Sequence, residues 1–489
     1  MSQDAPRLWV RDTRLVISNA FARMPFRFGV VTLTAAPVSL LEVTVEMADG
    51  RIGKGFASDI PAFKWFDKDP DKTPADNVAD LLRTLGHARE IYVDTPADTP
   101  FALWRDTRHE IERRALDDGF NRLGASFAAS MMERAVIDAT GRLSGQTFDE
   151  MVRKDTLGIN CRNVFPVLEP CAHLSALPDR SLDKVALRHT IGLVDPLTAA
   201  DAAQEDVPDD GFPTTLEDYL RVDGLRYLKV KVAGDLGNDI DRLEKIAAVM
   251  TAAGRPIAVT LDGNEQYKSL DDFVALMERI RSTSSLADFY ESILFVEQPL
   301  DRAIALAETL PEPALAAIGK PLLIDEADGW TEAYAEAIEL GYRGVSHKNC
   351  KGIYRSLLNA ALAERQNQRA RPGYYFQSAE DLTNLAVVPL QADLAVVATL
   401  GISHVERNGH HYFRGLDHLS SAERQQAVAE NPDLYERHGD TVALKIEDGS
   451  LSLGSMQVPG LGVATPPNLD DKIAEADWHF SMLEEGGAV

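Results

Sequence analysis

Short apolar runs recur between residues 163 and 406, and stretches with helical periodicity separate them. Several runs end in a charged residue, as 257–262 does at Asp262 and 294–297 does at Glu297. Strand-type and helix-type segments that alternate in this way favour successive βαβ units and therefore a parallel sheet. The predicted strands, in chain order, are residues 163–168, 228–232, 257–262, 294–297, 321–325, 344–347, 373–377 and 402–406.

Eight such units are the number that closes a parallel sheet into a (β/α)8-type barrel. An open doubly wound sheet is the alternative, and it more often carries a glycine-rich phosphate turn after its first strand. The chain contains no G-x-G-x-x-G motif. The barrel is therefore the favoured fold, and in such barrels the chemistry lies at the C-terminal ends of the strands.

Two lysines, Lys229 and Lys231, lie in the second predicted strand, which reads Leu-Lys-Val-Lys-Val. Because strand side chains alternate between faces, both lysines point to one side and the valines point to the other. Two buried ammonium groups cost several kcal/mol unless anions compensate them. A solvent-facing edge strand is the alternative interpretation of this segment.

Carboxylates that could compensate these lysines end three consecutive later strands, and they are Asp262, Glu297 and Asp325. In a barrel these side chains meet at one mouth, where their mutual repulsion requires a cation. Ligation by oxygen alone favours a hard divalent ion such as Mg²⁺. Zinc is less favoured because no histidine or cysteine joins the set. Taken singly, each acid could instead be a helix cap or a loop residue.

A further lysine, Lys348, ends the next predicted strand. Strands on opposite sides of the carboxylates would place Lys231 and Lys348 across a bound substrate. A metal ion on the substrate carboxylate stabilises the enediolate that forms when the neighbouring carbon loses its proton. A lysine whose pKa is lowered by burial and nearby cations can take that proton. Lys229 would be one such neighbouring cation.

The order Lys-x-Lys, Asp, Glu, Asp, Lys along successive strands resembles the enolase superfamily. The final lysine resembles the muconate-lactonizing-enzyme-like subgroup of the mandelate racemase/muconate lactonizing enzyme family. The resemblance implies an α/β fold, a modified TIM barrel of the (β/α)7β type with an α+β capping domain. Three segments resemble parts of that cap and its closing C-terminal segment: 41–55, 130–141 and 458–463. We therefore expect the cap over residues 1–160, the catalytic barrel over 161–430, and a segment that returns to the cap over 431–489.

The resemblance also implies roles for individual residues. The three strand-end carboxylates would bind Mg²⁺, with Mn²⁺ as a substitute. Lys231 and Lys348 would form the acid/base pair, and Lys229 would lie beside the substrate carboxylate. Asn264 and Glu326 would orient the ligands and lysines.

The second base has two candidates in the sequence. Lys351 lies three residues after Lys348, so strict alternation puts it on the opposite face of the strand. A bulge would exchange the two lysines. We take Lys348 as the base and keep Lys351 as the alternative.

Abstraction of the proton α to a carboxylate is the shared first step that the resemblance implies. Lysines on both faces favour a racemase or epimerase. A lyase (dehydratase) or a cycloisomerase is the alternative, with one lysine as base and the other as electrostatic support. A non-catalytic, enolase-like binding protein is the non-enzyme alternative. The Asp-His pair of the mandelate racemase subgroup is not evident, which disfavours acid-sugar chemistry.

Other polar residues are candidates for substrate contact. The eighth predicted strand ends in His404 and Glu406, and His410 and His411 follow. A structural or substrate-contact role is favoured for this cluster over a zinc site. Gln377, at the end of the seventh strand, is a further candidate for substrate contact.

Two predicted cap loops, 22–29 and 62–66, combine aromatic residues with a cation, Arg27 in the first and Lys64 in the second. These cations could pair with a distal carboxylate of the substrate. Packing of the cap against the barrel is the alternative role of both loops.

Composition limits the partners of the 489-residue chain. A net charge of −26 without a basic stripe argues against nucleic acid and anionic membrane surfaces as partners. Three cysteines offer no disulfide framework, and no signal-peptide pattern is found, so we expect a cytoplasmic protein. We expect a small-molecule carboxylate as substrate, and the resemblance implies a homo-oligomer.

Overall fold

The computed structural model describes residues 5–28 and 31–485. Eight parallel strands form a closed barrel in which the last strand pairs with the first. An antiparallel sheet precedes the barrel in the chain. The sheet strands are β1 (Leu8–Phe28), β2 (Val31–Met47) and β3 (Ile52–Asp59), and the barrel strands are β4 (Lys184–Ile191), β5 (Tyr227–Lys231), β6 (Ala258–Asp262), β7 (Ile293–Glu297), β8 (Leu322–Ile324), β9 (Gly344–His347), β10 (Phe376–Ala379) and β11 (His404–Arg407).

Helices follow the strands around the barrel, and three long helices belong to the N-terminal region. The N-terminal helices are α1 (Pro74–Asp94), α2 (Pro100–Asp117), α3 (Arg122–Ser144) and the short α4 (Phe148–Arg153). The barrel helices are α5 (Ala199–Ala202), α6 (Leu216–Val222), α7 (Leu236–Ala252), α8 (Leu270–Ser282), α9 (Ala287–Ser292), α10 (Arg302–Ala305), α11 (Glu312–Ile318), α12 (Ala333–Leu340), α13 (Ile353–Asn367), α14 (Val388–Leu400), α15 (Gly409–Tyr412) and α16 (Ser421–Glu430). The last elements are β12 (Tyr435–His438), β13 (Thr441–Leu444), β14 (Ser450–Ser452), β15 (Ile473–Ala474) and α17 (Met482–Glu485). No helix in the described ranges is both long and apolar enough to cross a membrane.

The strand register positions the polar residues at one end of the barrel. Lys231 on β5 lies beside Asp262 on β6, and Asp262 lies beside Glu297 on β7. Because the strands are parallel, these C-terminal residues meet on the same side of the sheet. The predicted capped (β/α) barrel is confirmed.

The first barrel strand is β4, so the prediction of a strand at 163–168 was wrong. Residues 161–163 form a 3₁₀ turn, and Phe165 and Leu168 are buried without strand pairing. An apolar run can form either a strand or a buried segment without strand pairing. Hydrogen bonding to a neighbouring strand decides which of the two forms. β4 pairs with β5 on one side and with β11 on the other, which closes the barrel.

The N-terminal sheet packs against α3, which is buried along most of its length. A Cβ at Gly55 on β3 would lie 2.1 Å from the carbonyl oxygen of Ala135, so this close approach requires glycine. Near the C-terminus, β15 pairs antiparallel with β1. The C-terminal segment therefore returns to the N-terminal sheet.

Glu133 on α3 connects the cap to the barrel, because its carboxylate accepts a hydrogen bond from the backbone N–H of Ile353 at the start of α13. Burial raises the pKa of Glu133 to about 8, whereas a glutamate in an unfolded chain titrates near about 4.3. The folded state therefore keeps a proton that the unfolded state loses in this interval. The contribution of Glu133 to the free energy of unfolding is fully present below about pH 4.3. It is lost as the pH rises through the pKa that Glu133 has in the folded state.

We expect Glu133→Gln, which cannot ionise, to remove this part of the pH dependence and to be more stable than the wild type at pH 8. Urea unfolding at about pH 5 and about pH 8 measures the free energies, and the slope follows from proton linkage. Glu308→Gln, at an exposed position, is the matched control. Equal pH slopes for Glu133→Gln and the wild type would contradict the expectation.

Candidate functional site

A narrow pocket lies where the C-terminal ends of the barrel strands face the cap. The barrel supplies its charged side chains and the cap supplies apolar ones. The charged barrel residues of the pocket include Lys229, Lys231, Asp262, Asp325, Lys348 and Glu406. The predicted acid/base pair and two of the predicted metal ligands therefore share one pocket, and Glu297 contacts Lys229 of that pocket over 2.7 Å.

Lys229 is the electrostatic centre of the site. Its buried ammonium lies 3.1 Å from Asp262, 2.7 Å from Glu297, 3.1 Å from Glu380 and 2.8 Å from Glu406. Burial alone would lower the pKa of Lys229, but these four carboxylates raise it well above its usual range. The lysine is therefore a permanent cation that holds the ends of four different strand segments together.

Glu297 carries the least compensated negative charge of this group. Burial, followed by repulsion from Asp262 and Glu380, raises the pKa of Glu297 well above its usual range despite the nearby Lys229. In Asp262 burial acts in the same direction, but Lys229 and Lys231 outweigh it and lower the pKa. Additional positive charge at Glu297 would therefore stabilise the site.

Lys231 lies one layer closer to the mouth. Its ammonium is 3.1 Å from a carboxylate oxygen of Asp262 and also donates to the side-chain oxygen of Asn264. The Asn264 backbone, at φ 43°, is in the left-handed region and donates its N–H to Asp262 over 2.8 Å. This turn brings Asn264 into contact with the lysine, and its orienting role stays a prediction.

Lys348 lies on the other side of the pocket, with its ammonium 2.6 Å from Asp325 and 4.6 Å from the centre of the Trp65 ring. Burial would lower the pKa of Lys348, but Asp325 raises it well above its usual range. β5 and β9 are separated by three strands in either direction around the eight-stranded ring. Lys231 and Lys348 therefore face each other across the barrel mouth.

Lys351 lies beneath Asp325, not at the pocket surface. A 3₁₀ turn over Asn349–Lys351 follows β9 and brings the Lys351 ammonium 2.8 Å from the hydroxyl of Ser346 and 3.1 Å from the Asp325 carbonyl oxygen. Both lysines thus contact Asp325, but Lys348 lines the pocket. This geometry supports Lys348 as the candidate base.

Glu326 is buried near a cap-to-barrel ion pair. Lys68 from the cap loop pairs with Glu265, which also binds Arg302 over 2.7 Å. Burial, followed by repulsion from Glu265 and Asp325, raises the pKa of Glu326 to about 7. Neither carboxylate oxygen of Glu326 makes a hydrogen bond to another described residue.

Four other predicted site residues lie outside the pocket. Gln377 faces the helix layer, where it donates to the Ser356 carbonyl oxygen over 3.0 Å. His404 lies in the barrel floor, stacked on Tyr227, and burial followed by the charge of Arg188 lowers its pKa to about 3. The remaining two are Arg27, which is exposed, and Lys64, which bonds the backbone of its own loop.

The histidines after β11 pack on the outside of the barrel mouth. His410 contacts His189 over 3.1 Å, and His411 contacts the hydroxyl of Tyr219 over 2.8 Å. Across residues 5–28 and 31–485, no group of three or more His, Cys, Asp and Glu side chains is arranged to hold a metal ion. The cluster is packed and hydrogen-bonded in this structure, and its structural or substrate-contact role stays a prediction.

Arg188 on β4 is a residue of the site that the sequence prediction missed. It is fully buried, pairs with Glu380 over 2.5 Å and lies 5.4 Å from the Phe295 ring. Glu380 in turn contacts Lys229, so Arg188 extends the charge network into the barrel floor. The apolar run around Arg188 at 185–191 was the signal that could have identified this strand.

The donor set fits Mg²⁺ in chemistry, since buried carboxylate oxygens at neighbouring strand ends are hard ligands. Asp262 and Glu297 already share a cation, the Lys229 ammonium, and the raised pKa of Glu297 indicates excess negative charge there. Asp325 is paired with Lys348 and Lys351 instead. The residues thus fit the ion in chemical type, but in this structure their oxygens face lysines, and the described carboxylates are not arranged as a group of three ligands.

Comparison with known proteins agrees with this architecture. Residues 213–468 match the family model described as enolase C-terminal domain-like. No curated protein matches the chain. Among solved structures, the muconate lactonizing enzyme from Pseudomonas fluorescens, complexed with muconolactone, is 15% identical with a TM-score of 0.58, over 94% of this chain and 97% of that one.

Two epimerases are similar in fold as well. The L-Ala-D/L-Glu epimerase from Bacillus subtilis is 16% identical with a TM-score of 0.58, over 94% of this chain and 100% of that one. The dipeptide epimerase from Enterococcus faecalis, complexed with Mg and a dipeptide, is 16% identical with a TM-score of 0.57, over the same shares. Likeness at this identity establishes the fold, and the family match over more than half of the chain confirms the predicted enolase-superfamily enzyme. The chain belongs to the enolase C-terminal domain-like family of the enolase superfamily.

Proposed function

We propose that the protein abstracts the proton α to the carboxylate of a small-molecule substrate, in a Mg²⁺-dependent racemisation or epimerisation. The observation that carries the proposal is the placement of Lys231 and Lys348 on opposite sides of one pocket, with buried carboxylates between them. A substrate carbon held between two such lysines can lose a proton to one and regain it from the other.

The two lysines differ in their surroundings. Lys348 is held as an ammonium by Asp325 and is shielded by Trp65, so it is ready to donate a proton. Lys231 bonds Asn264 and Asp262 and lines the pocket, where its neutral amine form could receive a proton. Lys229, beneath them, is a fixed positive charge that partly compensates the four carboxylates around it.

Asp262, Glu297 and Asp325 would hold the Mg²⁺ ion, with Mn²⁺ as a substitute. When bound, the ion would supply the positive charge that stabilises the second negative charge on the substrate carboxylate. Asn264 would keep Lys231 in place during this step. Glu326, next to Asp325, would help to orient that ligand.

A lyase or cycloisomerase is the second candidate, and the asymmetry of the lysines favours it. Lys348 is tightly paired with Asp325, whereas Lys231 contacts an amide as well as a carboxylate. A single acid/base lysine opposite a permanent cation suits elimination or ring closure, each of which needs only one proton transfer at carbon. Product analysis separates the two candidates.

The proposal also covers the domain bounds, the assembly and the location of the protein. We retain the cap at residues 1–160, the barrel at 161–430 and the returning segment at 431–489. The pairing of β15 with β1 supports the return of the last segment. Assembly as a homo-oligomer and a cytoplasmic location are also proposed.

Proton NMR in D₂O with MgCl₂ tests the proposal. Pools of N-acyl amino acids, dipeptides, betaines and sugar acids are screened for loss of the α-proton signal, with EDTA as the metal control. We expect exchange that requires Mg²⁺, and inversion at the α-carbon would identify the racemase. Loss of water or ring closure would identify the second candidate instead. Silence in every pool, together with no Mg²⁺ binding by calorimetry, would overturn the proposal.

A further inference from the structure

A second cavity, of about 450 Å³, lies on the outer side of β11. Its wall includes α6, residues 208–214 of the loop between α5 and α6, and the hairpin of β12 and β13. Among the described residues, none lines both this cavity and the pocket at the barrel mouth. Alternation along β11 explains the separation, because Glu406 lines the barrel mouth and the next residue, Arg407, lines the second cavity. A cavity of this volume accommodates a small organic ligand.

The loop that lines the cavity is held from two sides. The side chain of Arg23 on β1 is buried, pairs with Asp210 over 2.6 Å and donates to the carbonyl oxygen of His411 over 2.8 Å. On the other side, the Phe212 ring stacks on His438 of β12 with centroids 4.1 Å apart. Because these contacts already order the wall, a ligand loses little free energy in organising it.

Three carboxyl groups of the cavity wall lack a cation. They belong to Asp209, Asp223 and Glu436, and none of them forms an ion pair or a side-chain hydrogen bond with another described residue. Asp223, which follows α6, is partly buried, and burial followed by repulsion from Glu436 raises its pKa to about 7. A positive charge near Asp223 and Glu436 would offset this repulsion.

The two arginines of the wall do not supply that charge, because each already has a carboxylate partner. Arg221 pairs with Asp218 over 2.5 Å, and Arg407 pairs with Asp393 over 2.5 Å. His410 also lines the cavity, but burial lowers its pKa to about 3, so it is uncharged near neutral pH. The wall therefore favours a ligand that brings its own positive charge.

The cavity also offers an apolar surface and one unpaired amide. The apolar surface includes the buried side chains of Leu385, Leu390 and Leu416. Asn384 lines the cavity and is 7% exposed, and its side chain makes no hydrogen bond with another described residue. An amide both donates and accepts hydrogen bonds, so it suits a hydroxyl or carbonyl group on an otherwise apolar ligand.

We propose that this cavity is a second binding site, which takes a small organic cation. The ligand would be a primary amine with an apolar or aromatic body and one uncharged hydrogen-bonding group. Its ammonium would lie near Asp223 and Glu436, its body against the leucines and its polar group at Asn384. The site is separate from the barrel mouth, so the inference does not depend on the proposed reaction.

Titration of the full chain with three probes of similar shape, in the presence of MgCl₂, tests the proposal by ligand-observed NMR. Tyramine carries an ammonium and a phenol hydroxyl, tyrosol has a hydroxyl in place of the ammonium, and phenethylamine lacks the phenol hydroxyl. We expect tyramine to bind at least about tenfold more tightly than tyrosol and about threefold more tightly than phenethylamine. No binding of tyramine, or equal binding of tyramine and tyrosol, would overturn the proposal. Equal binding of tyramine and phenethylamine would overturn the role of Asn384.

Variants of the two acids show whether tyramine binds in this cavity. Glu436→Lys places an ammonium near Asp223 at an exposed position, so it competes with the charge of the ligand. Asp223→Asn removes the more buried carboxylate. We expect each variant to weaken tyramine binding by at least about tenfold.

The matched controls make the same changes on the exposed faces of two barrel helices. They are Glu278→Lys on α8 and Asp241→Asn on α7, and we expect both to leave the affinity for tyramine unchanged. Unchanged affinity in Glu436→Lys, or an equal loss in Glu278→Lys, would overturn the location of the site. Should Asp223→Asn fail to fold, Glu436→Lys decides the location alone, because its side chain is exposed.

Discussion

Replacing Lys348 by methionine should slow α-proton exchange by about 10²- to 10⁴-fold, the usual contribution of a positioned acid or base. The ammonium of Lys348 lines the pocket opposite Lys231, and methionine keeps most of its volume without a titratable group. In a racemase each lysine serves one face of the substrate carbon. Lys348→Met should therefore lose exchange from one enantiomer and Lys231→Met should lose exchange from the other.

Exchange rates of the separate enantiomers in D₂O, measured by NMR, check this expectation. Lys245→Met, on the exposed face of α7, is the control for a lysine lost outside the site. Lys351→Met is the sharper comparison, because Lys351 contacts Asp325 without lining the pocket. Full activity of Lys348→Met would contradict the role of Lys348. Loss of both enantiomers in Lys231→Met alone would identify a one-base reaction and favour the lyase.

Replacing Lys229 by methionine should strengthen Mg²⁺ binding by at least about tenfold, which corresponds to about 1.4 kcal/mol. The Lys229 ammonium contacts Asp262 and Glu297, two of the proposed ligands, so it competes with the ion for the same carboxylate oxygens. Without Mg²⁺ the variant should be destabilised by about 3–5 kcal/mol, because buried carboxylates lose their partner. Added Mg²⁺ should recover much of this stability.

Calorimetric titration with MgCl₂ and thermal unfolding at increasing MgCl₂ measure the two effects of Lys229→Met. Lys229→Arg keeps the positive charge and should not bind Mg²⁺ more tightly than the wild type. Weaker Mg²⁺ binding by Lys229→Met would show that the lysine organises the ligands and does not compete with the ion. Either result is independent of the substrate, so it can be obtained before the substrate is known.

The lysine and carboxylate set was predictable because it depends on local patterns. Alternation along β5 places Lys229 and Lys231 on one face, and strand-helix spacing places Asp262 and Glu297 at one edge of a parallel sheet. These local patterns do not tell which strand pairs with which. The apolar run at 163–168 was therefore chosen over β4, and Arg188 was missed with it.

By itself, the sequence determined the capped barrel and the identity of the charged groups, because strand periodicity and helix spacing are properties of consecutive residues. Only the tertiary structure decided which charges face one another. It paired Lys229 with four carboxylates from separate strands, and a 3₁₀ turn placed Lys351 below Lys348. It also directed Lys64 to the backbone of its own loop, and the described cap residues that line the pocket are apolar. Such pairings depend on distances between segments far apart in the chain, and those distances are set only when the barrel closes and the cap packs on it.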